Sequence, residues 1–230
     1  MSTPSPLEAL PAPVAARRAG TGLHASLVGM AGFAALYAIV RQRRSEAVDL
    51  AITMKVQSVR HPTAARVMTA VSWPGFPPQS RVLPPALMAG LWLLRLRTEA
   101  MMQLLAWGTA ALSTVIKLFM GRPRPVAGTD LRVVAAELGG SSLPSGHVLT
   151  YVGTYGWLAV LANALIRPSW PRRVVVTGLG LLVAMVGPSR IYQGHHWPTD
   201  VAASYMLGFS YLSALIALYR RVKGGGAVAR

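Results

Sequence analysis

The sequence predicts an all-α, polytopic membrane protein of six transmembrane helices, with one or two interfacial helices between the first and second spans. Three observations carry this. Hydrophobic residues make up 53% of the 230 and charged residues only 13%. The apolar residues arrive in blocks that approach the ~20 needed to cross a bilayer. The charges that remain, mostly Arg, sit between the blocks, as expected of loops at a membrane surface.

Residues 1–19 are rich in Pro and Ala, lack apolar periodicity and read as a disordered N-terminal tail. Residues 20–222 read as one six-span domain, and residues 223–230, with Gly224-Gly225-Gly226, as a flexible C-terminal tail. The first span runs from about Gly22 to Val40 and ends in Arg41-Gln42-Arg43-Arg44. Arg17-Arg18 before it is similar to a twin-arginine signal, but no small-residue cleavage site follows, so an uncleaved span is expected. Over Ser45 to Arg60, Val48, Ile52, Val56 and Val59 fall at helical spacing opposite Glu46, Asp49 and Lys55. That pattern predicts an amphipathic helix lying in the interface. A second short helix, about Thr63 to Trp73, is stopped by Pro74-Gly75-Phe76-Pro77-Pro78. Five more blocks follow: about Arg81 to Leu96, Ala100 to Leu118, Val148 to Ile166, Val174 to Pro188 and Val201 to Tyr219. The block from Arg81 is the shortest, with Arg81 and Arg95 snorkelling at its ends.

Alternation sets the orientation. The short basic turns at Arg95-Leu96-Arg97 and Arg167 to Arg173, and the tail from Arg220, fall on one side, which the positive-inside tendency makes cytoplasmic. Arg41, Arg43 and Arg44 then land on the outer side, against that tendency. The net charge of +16 admits a nucleic-acid binder, but the basic residues flank apolar blocks instead of forming the face of a soluble domain, so no nucleic-acid partner is expected. With no cysteine, the chain has no disulfide framework, thiolate metal site or cysteine nucleophile.

Three stretches on the outer side gather ionisable residues beside membrane segments, where they are costly and therefore functional candidates. In Ser189 to Asp200, Pro198 suits a first helical turn, so the last span starts near Trp197. His196 and Asp200 are four residues apart. A carboxylate accepting from one ring nitrogen would fix the tautomer and leave the other nitrogen free to attack phosphorus. An ordinary first-turn acid is the alternative for Asp200. His195 has Thr199 at that spacing, so it reads as a pocket or interface residue. In Pro144-Ser145-Gly146-His147, Ser145 is a natural N-cap, Gly146 admits close approach of an anion, and His147 could protonate a leaving oxygen; taken alone, the motif reads first as an ordinary capped helix with an interfacial histidine. Lys117, Arg124 and Arg190 supply the cations that grip phosphate oxygens. Arg122 and Arg132 read as positive flanks. Three cations and helix-start amides can compensate phosphoryl charge without a metal, and no cofactor is expected.

The three stretches resemble the signature of the type 2 phosphatidic acid phosphatase superfamily. The match lies at Lys117, Arg124 and Pro125, at Pro144 through His147, and at Ser189, Arg190, His196 and Asp200. It covers roughly Ala100 to Tyr219. Val148 stands where the family commonly has a small residue. The resemblance implies a six-span helical core, an outward-facing pocket, a phosphohistidine on His196 with His147 as the acid, no metal requirement, and inhibition by vanadate. Val126 to Leu143 is where substrate choice is expected. The expected activity is hydrolysis of a lipid phosphomonoester of phosphatidic acid or phosphatidylglycerol phosphate type. The alternatives are a polyprenyl diphosphate phosphatase and a lipid phosphotransferase using the same site. Two further readings weigh less: the soluble vanadium haloperoxidases of the superfamily, disfavoured by six spans, and a transporter or scaffold, disfavoured because the charges cluster at helix ends on one side. The expected location is a bacterial inner membrane, with the site facing the periplasm or exterior.

Overall fold

The computed structural model describes residues 19–127, 131–133 and 139–225, and every regular element among them is helical. In chain order these are α1 (Ala19–Arg41), α2 (Glu46–Gln57), α3 (Pro62–Ser72), α4 (Gln79–Leu93), α5 (Arg97–Trp107) and α6 (Thr109–Met120). There follow α7 (Gly146–Thr150), a π-helical turn (Tyr151–Tyr155), α8 (Gly156–Leu165), α9 (Ser169–Tyr192) and α10 (Pro198–Gly225). The residues expected to form the N-terminal tail up to Arg18, those of the C-terminal tail from Gly226, and much of the expected specificity loop lie outside the described residues.

Among the described residues, five stretches are long and apolar enough to cross a membrane: Gly22–Arg41, Arg97–Met120, Gly146–Leu165, Ser169–Tyr192 and Pro198–Lys223. The expected second span is instead α4, a helix of 15 residues containing Pro84 and Pro85. At 1.5 Å per residue it is about 22 Å long, against a hydrocarbon core of about 30 Å.

Between helices in lipid there is little hydrophobic drive, so close backbone packing and interhelical hydrogen bonds carry association. The longest helix contact follows that rule, with α1 lying along α10. Ser210 Oγ donates to the Ser26 carbonyl at 2.5 Å, and a Cβ on Gly29 would stand only 2.9 Å from the Met206 carbonyl oxygen. The opposite face of α1 is turned outward, with Leu27 and Val28 exposed, as a lipid-facing surface requires. The buried core, with Ala106, Val148, Tyr151, Trp157 and Val186, is shared by α5, α7, the π turn, α8, α9 and α10.

Two expectations are corrected here. The fifth span does not stop at Pro188 but continues to Tyr192. Proline removes an N–H and crowds the carbonyl four residues back. Tyr205 compensates, its hydroxyl reaching the Val183 and Ala184 carbonyls at 2.6 and 2.9 Å and accepting from Gly187 N at 3.0 Å. Ser189 and Arg190 therefore sit on a rigid last turn instead of a loop. The second correction concerns α2. Its polar stripe, Asp49, Thr53 and Gln57 at four-residue spacing, is buried against the protein, whereas Val48 and Ile52 are exposed. Glu46 and Asp49 thus do not share one outward polar face. When lipid is the outside medium, the apolar side is the one turned away.

Candidate active site

All eight residues singled out from the sequence meet at one end of the bundle. Arg124 ties the first motif to the last and to the segment before Pro144: Nη1 donates to the His195 carbonyl at 2.8 Å and stands 3.4 Å from His196 Nε2, while Nη2 donates to the Ser141 carbonyl at 3.2 Å. Lys117, on the last turn of α6, lies beside the start of α7, since a Cβ on Gly146 would be 4.0 Å from its Nζ. Arg190 is fully buried at the end of α9. Its guanidinium donates to Ser72 Oγ at 3.2 Å and Gln193 Oε1 at 2.7 Å, contacts His195 Nδ1, and lies over the Phe76 ring at 4.9 Å. His147 packs edge-on against the same ring at 4.8 Å. The N–H of Ser145 donates to Ser204 Oγ at 2.7 Å, which in turn donates to the Asp200 carbonyl at 2.6 Å.

Buried polar atoms normally find partners, and an orphan costs about 1–3 kcal/mol. Among the described residues, seven such orphans cluster at this end: Arg124 Nε, Arg190 Nε, His147 Nε2, His195 Nε2, Ser142 Oγ, Ser145 Oγ and Ser113 Oγ beside Gly146. Every one of these groups can donate a hydrogen bond. A tetrahedral oxyanion is the ligand that would satisfy them together. Ser145 was expected to cap α7 through its side chain, but no such bond forms and its hydroxyl stays with the orphans. A cavity of about 190 Å³ opens beside Arg124 and His195, between Pro125 and Gly140.

His196 is buried with Nδ1 2.7 Å from the Ser142 carbonyl. A carbonyl only accepts, so Nδ1 carries the proton and the Nε2 lone pair points towards Arg124. This corrects the expected role of Asp200, whose Oδ2 is 3.9 Å from Nδ1 and instead accepts from Trp197 N at 2.9 Å. Asp200 is therefore a first-turn acid that also biases the imidazole electrostatically. Burial pushes the His196 pKa down to about 4, with Asp200 opposing and Arg190 and Arg124 adding to the fall. Burial likewise takes His195 to about 3, helped by the Arg190, His196 and Arg124 charges. Both imidazoles are neutral at physiological pH.

Several residues escaped the sequence reading. Arg122 is no flank: Nη1 donates to Asp200 Oδ1 at 2.5 Å and Nη2 to Asp49 Oδ2 at 2.6 Å, with the guanidinium nearly buried. Asp49, fully buried on α2, also accepts from Thr199 N at 2.8 Å and Thr199 Oγ1 at 2.7 Å, and so holds the start of α10. Arg132 is tied to α2 as well, its N–H donating to Gln57 Oε1 at 2.9 Å and its guanidinium to the Gln57 carbonyl. Gly75 and Phe76, expected only to stop a helix, wall the pocket. A Cβ on Gly75 would overlap the His147 ring. The available signals were the acid and the amide at positions 49 and 57, polar residues on a membrane-associated helix, and the two arginines of Gly121-Arg122-Pro123-Arg124.

Fold and site together define an integral membrane protein with a buried, cationic, histidine-bearing oxyanion pocket, which is the arrangement of a membrane phosphohydrolase. The model of the PAP2 superfamily matches residues 99–223, just over half of the sequence, and the chain belongs to that superfamily. It is thereby a phosphoric ester hydrolase by class. Among its relatives is phosphatidylglycerophosphatase B of Bacillus subtilis (strain 168), 30% identical over 180 residues covering 76% of this chain and 85% of that protein. The crystal structure of a transmembrane PAP2-type phosphatidylglycerolphosphate phosphatase from Bacillus subtilis superposes with a TM-score of 0.68 at 25% identity, covering 89% of this chain and 96% of that one. The Aquifex aeolicus LpxE structure shares the fold, with a TM-score of 0.55 at 24% identity over 74% of this chain and 93% of that one.

Proposed function

We propose that the chain is a metal-independent lipid phosphatase that hydrolyses a phosphomonoester of phosphatidic acid or phosphatidylglycerophosphate type through a phosphohistidine on His196. The observation that carries this is the ring of orphaned donors around the His196 Nε2 lone pair. Nε2 attacks phosphorus, the bond from phosphorus to the lipid oxygen breaks, and His147 gives that oxygen its proton. A water then attacks the phosphohistidine, its proton passes to His147, and the P–N electron pair returns to Nε2 as inorganic phosphate leaves. Lys117, Arg124 and Arg190 hold the non-bridging oxygens, with the Ser145 hydroxyl and the Gly146 amide alongside. The names of the relatives favour a glycerophospholipid over a polyprenyl diphosphate.

Six spans are part of the reading. Phe76, just before α4, belongs to the site end, and Arg97, just after it, opens the span that returns to Lys117 at that same end. On this reading the chain crosses the bundle between them through α4. The site then faces the periplasm or exterior of a bacterial inner membrane, opposite the basic turns.

The test is phosphate release by purified protein in detergent from phosphatidylglycerophosphate and phosphatidic acid, comparing wild type with His196→Ala and His147→Ala. Both variants are expected to lose nearly all activity, and chelators to leave the wild type unaffected. Full activity in His196→Ala would remove the nucleophile, and strict chelator sensitivity would replace the mechanism with a metal-dependent one.

A further inference from the structure

Arg41, Arg43 and Arg44 lie at the site end of α1, on the side where positive charge is disfavoured, and the chemistry proposed above leaves them without a task. A cavity of about 530 Å³ opens there between the end of α1, the start of α2 and the end of α6. Arg41 and Arg43 line it, with Glu46 the one acid on its wall, and Phe119 contributes an apolar side. Its wall also includes Pro123 and Trp197, the immediate neighbours of Arg124 and His196. The cavity and the phosphate pocket are therefore separated by one residue in each of two motif segments. Arg43 is held with φ of 58°, in the left-handed region that a side chain of its kind rarely adopts. Its contact with Glu46 is long, 3.9 Å, and highly exposed, so it satisfies little of the arginine's charge. Arg44 belongs to the same run but does not line the cavity.

We infer that this cavity binds a second anionic group of the substrate, the internal phosphodiester of a lipid whose head group ends in a phosphomonoester, with the start of its acyl chains against the Phe119 side. The inference rests on the function proposed above and selects within it. Phosphatidic acid carries one phosphate and has nothing to place there. A polyprenyl diphosphate carries its two phosphates on a shared oxygen, so both belong to the pocket of Arg124 and Arg190. In phosphatidylglycerophosphate a glycerol separates the two phosphates, which suits a pair of sites standing either side of Pro123 and Trp197. Arg122 also borders the cavity, but both of its amino groups are committed to Asp49 and Asp200.

The experiment compares steady-state kinetics of the full chain in mixed micelles on phosphatidylglycerophosphate and on phosphatidic acid with matched acyl chains. The variants are Arg41→Gln, Arg43→Gln and, as a control for general surface charge, Arg44→Gln. Loss of a charge-assisted contact is expected to raise KM for phosphatidylglycerophosphate about tenfold in Arg41→Gln or Arg43→Gln. KM for phosphatidic acid should move by less than about twofold, as should both substrates in Arg44→Gln. Turnover of phosphatidic acid also reports that each variant is folded. Equal rises for both lipids, an equal rise in Arg44→Gln, or no rise at all would overturn the inference and leave the proposed chemistry standing. A wild type that cleaves phosphatidic acid but not phosphatidylglycerophosphate would overturn the inference and its choice of substrate, while a wild type that cleaves neither would overturn the functional reading with it.

Discussion

Replacing Asp49 by Asn tests whether a helix that supplies no reacting group governs the chemistry. The Asp49 carboxylate makes three hydrogen bonds, to Arg122 and to the amide and hydroxyl of Thr199, and is completely buried. Arg122 balances two buried carboxylates, Asp49 and Asp200. The amide isostere keeps an acceptor for Thr199 N but loses the ionic hydrogen bond to Arg122, a loss of about 1.5–3 kcal/mol for a charged partner. Full removal, as in Asp49→Ala, approaches the 3–5 kcal/mol typical of breaking a buried pair, moderated because Arg122 retains Asp200. Arg122 then settles on Asp200 alone, and the start of α10, which follows His196 and Trp197 directly, loses its tether. A displacement of about 1 Å at a reacting nitrogen costs about 100-fold in rate. The expected outcome for Asp49→Asn is a kcat lowered 10- to 100-fold, with a depressed thermal midpoint in detergent. A double-mutant cycle with Arg122→Gln should show coupling of at least about 1 kcal/mol in kcat/KM. Wild-type kcat, or strictly additive effects, would refute the reasoning.

Four further outcomes follow from the structure. Gly75→Ala forces a methyl into the His147 imidazole, and kcat should fall at least about tenfold while Arg124-dependent phosphate or vanadate affinity is kept; an unchanged kcat would sink this. The proposed attack by His196 requires a neutral imidazole, and burial holds its pKa at about 4, so the acid limb of kcat/KM assigned to it is expected near 4 and not near 6.5. Arg124 contributes to that depression, so the residual activity of Arg124→Gln should show the limb moved upward. Unfolding frees both buried imidazoles to bind protons below about 6.5, so their contribution to stability is intact above that pH and falls as pH drops towards 4; a flat thermal midpoint across the window would contradict it. Tyr205→Phe removes the hydroxyl that serves the backbone around Pro188, and should cost about 1–3 kcal/mol of stability, read as a lower thermal midpoint.

Much of the site was legible because phosphoryl chemistry requires particular side chains at helix ends, where apolar blocks make every charge conspicuous. Lys117, Arg124, His147, Arg190, His196 and Asp200 stood out for that reason. What stayed hidden has physical causes. Ser142 fixes the His196 tautomer through a backbone carbonyl, which no side-chain pattern reveals. Arg122 looks the same in sequence whether it snorkels or bridges two carboxylates. The apolar block ends at about Pro188, a residue that usually ends a helix, and only a tyrosine from α10 shows that the helix here continues through Ser189 and Arg190. Gly75 was read for its turn-forming freedom, while its missing side chain matters because an imidazole occupies the space.

The inverted packing of α2 ties catalysis to the medium around the protein. Asp49 and Gln57 stay engaged because turning Val48 and Ile52 outward is favourable when the surroundings are oily. In a watery surround the sign of that preference changes, and rolling the helix about its axis would draw Asp49 away from Arg122. The bilayer is thus more than a place to meet the substrate: its apolarity holds shut a latch whose release would loosen the start of α10, next to the proposed nucleophile His196.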